Sequence, residues 1–160
     1  MRVEYINPFI IATRKVLSTM AFMDSKPSKP YLKAEGDYKA LGDISAVIEL
    51  SGESKGSIGI SFTKKCILQV AKQMFGEEYT ELNEDIQDMI GEIVNMVSGE
   101  ARRELAKLGF HFSAGIPVMS KGEDHLLQHF VQARIITIPF KTASGDYFIE
   151  ACFDAKDFLT

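Results

Sequence analysis

Residues 83 to 109 leave this chain little freedom in how it folds. Ile86, Ile90, Ile93 and Val97 recur at intervals of three and four, with Met89, Val94 and Ala101 beside them. That spacing predicts one long amphipathic helix whose apolar stripe is committed to a core. Asn83 is placed to cap its start, and Gly109 to stop it after Leu108. The remaining positions are forced outward by the same geometry. Asp85, Asp88, Glu92, Asn95 and Gly99 fall on another face, so a carboxylate and a carboxamide stand one turn apart and point the same way.

Two glycines flank that pair. Gly91 and Gly99 lie one turn below and one turn above Asn95, and each costs a helix interior about 1 kcal/mol relative to Ala. With Ser98 they would make a shallow floor on which a partner could approach the Asn95 side chain closely. Read from the residues alone, a second account stands beside this one: the glycines serve core packing, and Glu92 and Asn95 are simply solvated.

The arrangement Asp88-x-x-x-Glu92-x-x-Asn95 inside a long helix, with Gly99 one turn on, resembles the CheC/CheX chemotaxis phosphatases, and the single-motif CheX type in particular. The resemblance covers nearly the whole chain. It takes in an opening Asn7-Pro8-Phe9, a strand pair ending in Gly56 to Phe62, a short helix, the motif helix, and Pro117 about twenty residues later. Glu4-Tyr-Ile-Asn7 matches the same short pattern, but Pro8 disfavours helical geometry at Asn7 and suits it to capping, so Glu4 and Asn7 are not expected to share a face. The first helix, expected from Pro8 to about Met23, contains no other copy. One site per chain follows, as in the CheX type.

The resemblance implies an α+β fold, a largely antiparallel sheet packed against two long helices. It also implies a substrate, phosphorylated CheY or a similar receiver domain, and a homodimer. An acyl phosphate on a receiver aspartate already has its Mg²⁺ held by the receiver, so the helper needs no cofactor of its own and must only place a water in line. A carboxamide suits this task because its carbonyl accepts from water, its amine donates to a phosphoryl oxygen, and it does not titrate. Asn95 and Glu92 are the expected catalytic pair, with Glu92 docking to a receiver cation. Asp88, Gly91, Ser98 and Gly99 are expected to form the docking surface. The competing reading is a non-catalytic adaptor that uses the same helix to bind a receiver domain or a flagellar switch component.

The rest of the chain sets bounds. Its 160 residues suffice for a single domain over 1–160 with a substantial core. A net charge of −4 with no basic cluster argues against nucleic acid or anionic lipid as the main partner. The apolar run from Pro8 to Ala12 gives way at once to Thr13, Arg14 and Lys15, too short for a membrane span or a signal peptide, so a cytoplasmic location is expected. Alternation predicts strands near 31–36, 43–51, 55–62, 128–140 and 146–154, the second and third as a hairpin. A short helix from the Thr63 cap to Gly76 is expected between the hairpin and the motif helix. Cys66 and Cys152 read as reduced core thiols. His125 and His129 have metal-pair spacing without a partner ligand, and the seven acids from Glu77 to Glu92 complement a helix N-terminus rather than build a metal site. No phosphate loop or covalent nucleophile stands out, so an enzyme built on this chain must activate water without a nucleophile of its own.

Overall fold

A computed structural model describes residues 3–52 and 54–154, without the side chains of residues 3–5. In chain order the elements are α1 (Val3–Ala21), β1 (Lys26–Pro27), β2 (Tyr31–Leu32), β3 (Ile44–Gly52), β4 (Lys55–Phe62), α2 (Lys64–Phe75), α3 (Glu84–Lys107), β5 (Phe112–Ala114), β6 (Val118–Lys121), β7 (Ile135–Thr142) and β8 (Gly145–Phe153). Every strand pairing is antiparallel, in the order β1-β7-β8-β4-β3-β5, with β2 also on β7 and β6 also on β3. The expected α+β architecture with two long helices against an antiparallel sheet is what the chain adopts.

Alternation in the strands decides which face meets the helices. Ile48, Ile58, Ile60, Phe62, Ile138, Phe140, Tyr147, Ile149 and Phe153 all point into one cluster with Phe9 and Leu17 of α1 and with Ile86, Ile90, Ile93, Val97 and Leu105 of α3. The expected β3–β4 hairpin forms, with Ile44 opposite Phe62 and Ser51 opposite Lys55. Phe140 stacks on Tyr147 with ring centroids 4.7 Å apart, a cross-strand aromatic pair at the centre of the sheet.

The opposite face of the sheet is buried as well. Residues 122–134 and the segment around β2 lie across it, with Leu127 seated over Gly59, where an added Cβ would approach the Leu127 side chain to 2.8 Å. Several polar side chains from the strands meet partners under this cover, although the buried Thr137 Oγ1 has no hydrogen-bond partner. The Glu150 carboxylate, fully buried, lies 2.8 Å from Lys33 Nζ and 3.0 Å from His129 Nε2. His129 Nδ1 lies 2.6 Å from Ser57 Oγ, and His125 Nε2 lies 2.7 Å from Ser45 Oγ. The two histidines therefore serve the sheet separately.

Several expectations need correction. Helix α1 begins at Val3 rather than at Pro8, with Pro8 inside it, so Asn7 is not its cap. A proline so near a helix start forfeits only one hydrogen bond with a short preceding turn, and the buried Pro8 and Phe9 hold the helix to the core. Glu4 and Asn7 thus lie on one helix three residues apart, although the Glu4 side chain is outside the described residues. α1 also ends earlier, at Ala21, where Phe22 takes a positive φ of 50° and Met23 N–H donates to Leu17 O. Residues 128–134 are cover rather than strand, and β7 starts only at Ile135. The extended segment expected over 31–36 shrinks to β2, two residues long.

The cysteines are both free and fully buried, as core thiols. Burial pushes the Cys66 thiol up to about 12 and the Cys152 thiol up to about 11. Lys33→Ala is expected to destabilise the fold by about 3–5 kcal/mol, because it leaves the Glu150 carboxylate buried without its cation. Urea midpoints of the two proteins check this, and a loss below about 1 kcal/mol would show that the pair contributes little.

Candidate active site

Helix α3 is made by the cap and the stripe together. Asn83 Oδ1 accepts from the Ile86 N–H at 3.1 Å, and Glu84 and Asp85 occupy the first turn, where acid is favoured by the helix dipole. At the far end Gly109 takes a φ of 92°, which a residue with a side chain would resist. Between these ends Ile86, Met89, Ile90, Ile93, Val94, Val97, Ala101 and Leu105 are buried. With those positions spent on the core, Asp88, Glu92 and Asn95 emerge on the surface, all exposed. Among the described residues their side chains make no hydrogen bond or ion pair, so both the carboxamide and the carboxylates are free for a partner.

The glycines resolve in favour of an open face. A Cβ built on Gly91 meets nothing within 4 Å, and one on Gly99 meets only Arg102 Nη2 at 3.9 Å. Neither glycine is needed for close packing of the core, which removes the competing account of why they are present. Ser98 is different. It is 0% exposed, so no partner can touch it, and its hydroxyl accepts from Arg102 Nε at 3.3 Å. Its place in the expected docking surface is therefore corrected: on a 3.6-residue repeat Ser98 sits beside Val94 and Ala101, toward the core.

Beside the Asn95 face a groove of about 330 Å³ opens between α1 and α3, with Met20, Met96 and Gly99 among its lining residues and Lys15, Glu100 and Arg103 at its rim. Lys15 Nζ lies 3.2 Å from Glu100 Oε2 and ties the two helices together. Sequence reasoning missed this groove, since it depends on how two helices cross. A larger cleft of about 560 Å³, lined by Lys33, Tyr38, Arg134 and Asp154 among others, shares no residue with α3. From Ile11 onward the exposed positions of α1 are Ile11, Arg14, Lys15, Ser18 and Thr19, so no carboxylate and carboxamide pair appears there. Among the described residues no group of three or more His, Cys, Asp and Glu side chains is gathered as a metal site.

The family model described as chemotaxis phosphatase CheX matches residues 44–141, from the first strand of the hairpin through α3 to β7. This chain belongs to the CheX family. The CheY-P phosphatase CheX of Thermotoga maritima is 26% identical over 149 residues, covering 92% of this chain and 94% of that protein. The crystal structure of the chemotaxis protein CheX from Vibrio vulnificus superposes with a TM-score of 0.86 at 40% identity, covering 95% of this chain and all of that one. The CheX of the CheX–CheY–BeF₃–Mg²⁺ complex from Borrelia burgdorferi shares the fold, with a TM-score of 0.77 at 24% identity over 96% of this chain and 100% of that one. Among the described residues of this CheX protein no helix is long and apolar enough to cross a membrane.

If Gly91 and Gly99 keep a face open rather than pack a core, Leu at either position should leave the melting temperature unchanged or raise it, since Leu is the better helix former by up to about 1 kcal/mol. The same variants should lose most phosphatase activity. A fall of the melting temperature by more than about 5 °C in either variant would contradict the open face.

Proposed function

We propose that this chemotaxis phosphatase hydrolyses the aspartyl phosphate of a CheY-like receiver domain by inserting Asn95 beside the phosphoryl group, with Glu92 fixing the docking register. The observation that carries the reading is the pairing of an exposed, unpartnered carboxylate and carboxamide on one turn of α3, between two glycines whose outer sides are open. Membership of the family supports it, as does the existence of a CheX solved with CheY, BeF₃ and Mg²⁺.

The chemistry is positioning. The receiver supplies the acyl phosphate and Mg²⁺, and the ion offsets charge on the phosphoryl oxygens. The Asn95 carbonyl accepts a hydrogen bond from the attacking water while its amine donates to a phosphoryl oxygen, which fixes the water in line with the breaking O–P bond. Phosphate leaves and the receiver aspartate is regenerated. Glu92, one turn earlier, pairs with a receiver cation, and Asp88 extends the same negative stripe. Gly91 and Gly99 allow the receiver backbone to come close on both sides of Asn95. The protein works in the cytoplasm with its receiver and forms a homodimer, as the family resemblance implies; light scattering on the purified chain reads the dimer directly.

Asn95→Ala should lower stimulated dephosphorylation by roughly a hundredfold or more while leaving the melting temperature within about 2 °C, because the side chain is exposed and its loss removes only water placement. Phosphate release from a phosphorylated receiver with Mg²⁺ measures it, and a wild-type rate would end the proposed role of the carboxamide. The adaptor reading would instead give receiver binding with no stimulated release from the wild-type protein.

Glu92→Lys should weaken receiver binding by about tenfold or more at low salt, since like charge then faces the receiver cation. Raising salt from 50 to 500 mM should weaken the wild-type complex more than that of the variant. Equal affinity and equal salt response in the two proteins would refute the pairing.

A further inference from the structure

The Asn95 face continues past Gly99 to a residue the motif does not include. Arg102 follows Asn95 by seven residues, which places it about 10 Å further along α3 and only about 20° away in rotation. Its side chain is half-buried along the helix. Nε donates to Ser98 Oγ at 3.3 Å, and Nη2 lies 3.9 Å from the point where a Cβ of Gly99 would stand, so the group folds back over the glycine toward Asn95. Its neighbours behave differently: Arg103 lies 3.6 Å from Glu100 and Lys107 lies 3.0 Å from Glu104, each compensated on the helix surface. Among the described residues Arg102 forms no ion pair.

A guanidinium held in place by a buried hydroxyl, with its charge uncompensated and no side chain at position 99 to screen it, is set up to receive an anion. The helix dipole does not account for it, because that effect falls off within the last turn and Arg102 stands five residues before the end of α3. Arg is also the cation whose planar fork matches a carboxylate bidentately.

Building on the phosphatase reading above, we infer that Arg102 is a second docking charge, which takes a carboxylate on the rim of the receiver's phosphorylation pocket while Glu92 takes a cation at the opposite rim. The stripe then runs anion, carboxamide, open floor, cation. A receiver satisfies both ends in one orientation only, since the reversed orientation sets like charge against like at both. The offset of about 10 Å from Asn95 keeps Arg102 off the phosphoryl group that the carboxamide engages, so Arg102 is a positioning residue and acts on affinity rather than on the chemical step.

The test uses the full chain with a CheY receiver, either phosphorylated or loaded with beryllofluoride and Mg²⁺. Arg102→Glu should raise KM by about tenfold and weaken binding to the beryllofluoride-loaded receiver by a similar factor, with kcat within about twofold. Arg102→Lys should recover part of the affinity. Arg102→Gln, which removes only the charge, should fall between wild type and Arg102→Glu and guards against misfolding in the reversed variant. Wild-type affinity in both Arg102→Glu and Arg102→Gln would overturn the inference. A fall in kcat at constant KM would overturn it too, by placing the guanidinium on the phosphoryl group. If the wild-type protein binds the loaded receiver but releases no phosphate, the phosphatase reading fails, and the binding data alone still decide the role of Arg102.

Discussion

The burial of one stripe of α3 against the sheet is the constraint from which the site follows. Ile86, Ile90, Ile93, Val97, Ala101 and Leu105 are all inaccessible to solvent, and at about 25 cal/mol per Å² their burial outweighs any surface interaction the helix makes. A helix fixed on one side has no freedom to rotate. Its other side is then presented at a set angle and height, so Glu92 and Asn95 need no hydrogen bonds of their own to be held in position. Rigidity comes from the core, and the exposed groups keep their full capacity for a partner. That division suits a protein whose reacting group belongs to another molecule, because every unpaired donor and acceptor on the stripe is available at docking.

The second layer of the structure supports the first. A sheet covered only by α1, α2 and α3 would leave its other face to water. Here that face is sealed by residues 122–134, whose Leu127 fits the gap left by Gly59, and by a buried polar set in which Glu150 is held between Lys33 and His129. Hydrophobic side chains would cover the sheet more cheaply, since a buried ion pair seldom gains much over an apolar replacement. What the polar set supplies is direction, because Ser45 meets His125, Ser57 meets His129 and the Phe130 N–H, and Glu150 meets Lys33 and His129. The cover is thereby kept in one register on β3, β4 and β8, and β3 and β4 also carry part of α3's packing surface.

Reading the chain as a sequence recovered what depends on local periodicity and missed what depends on the long-range partner. The α3 boundaries, the Asn83 cap, the alternation of β3 and β4 and the exposure of Asp88, Glu92 and Asn95 all follow from spacing along one element at a time. β5 and β6 were invisible because they are three and four residues long and separated by Gly115 and Pro117, too short for alternation to register. Residues 128–134 were misread as strand because their alternation belongs to a covering loop, in which the His129 side chain is buried and Phe130 is exposed. Ser98 was assigned to the docking face on its small size, yet its helical angle puts it beside Val94 and Ala101, and the groove between α1 and α3 could not be seen until the two helices were placed together. The error at Asn7 had another origin: the rule that proline disfavours helix in the residue before it is a preference of moderate size, and the burial of Phe9 on the core overrides it.

That last error bears on how many sites the chain has. If α1 had begun at Pro8, the Glu4 and Asn7 pair would have been excluded by backbone conformation. Since α1 begins at Val3, conformation no longer excludes it, and the distinction must rest on position. Asn95 stands in the middle of a helix of 24 residues, anchored by buried residues on both sides of it in sequence. Asn7 is the fifth residue of α1, with Pro8 following. A carboxamide at the centre of α3 is held in place by the core beneath it. The exposed centre of α1 carries Ile11 and Arg14 instead, chemistry unsuited to orienting a water. Of the two copies of the short motif, the one in α3 is the copy carried at the centre of a helix anchored on the core.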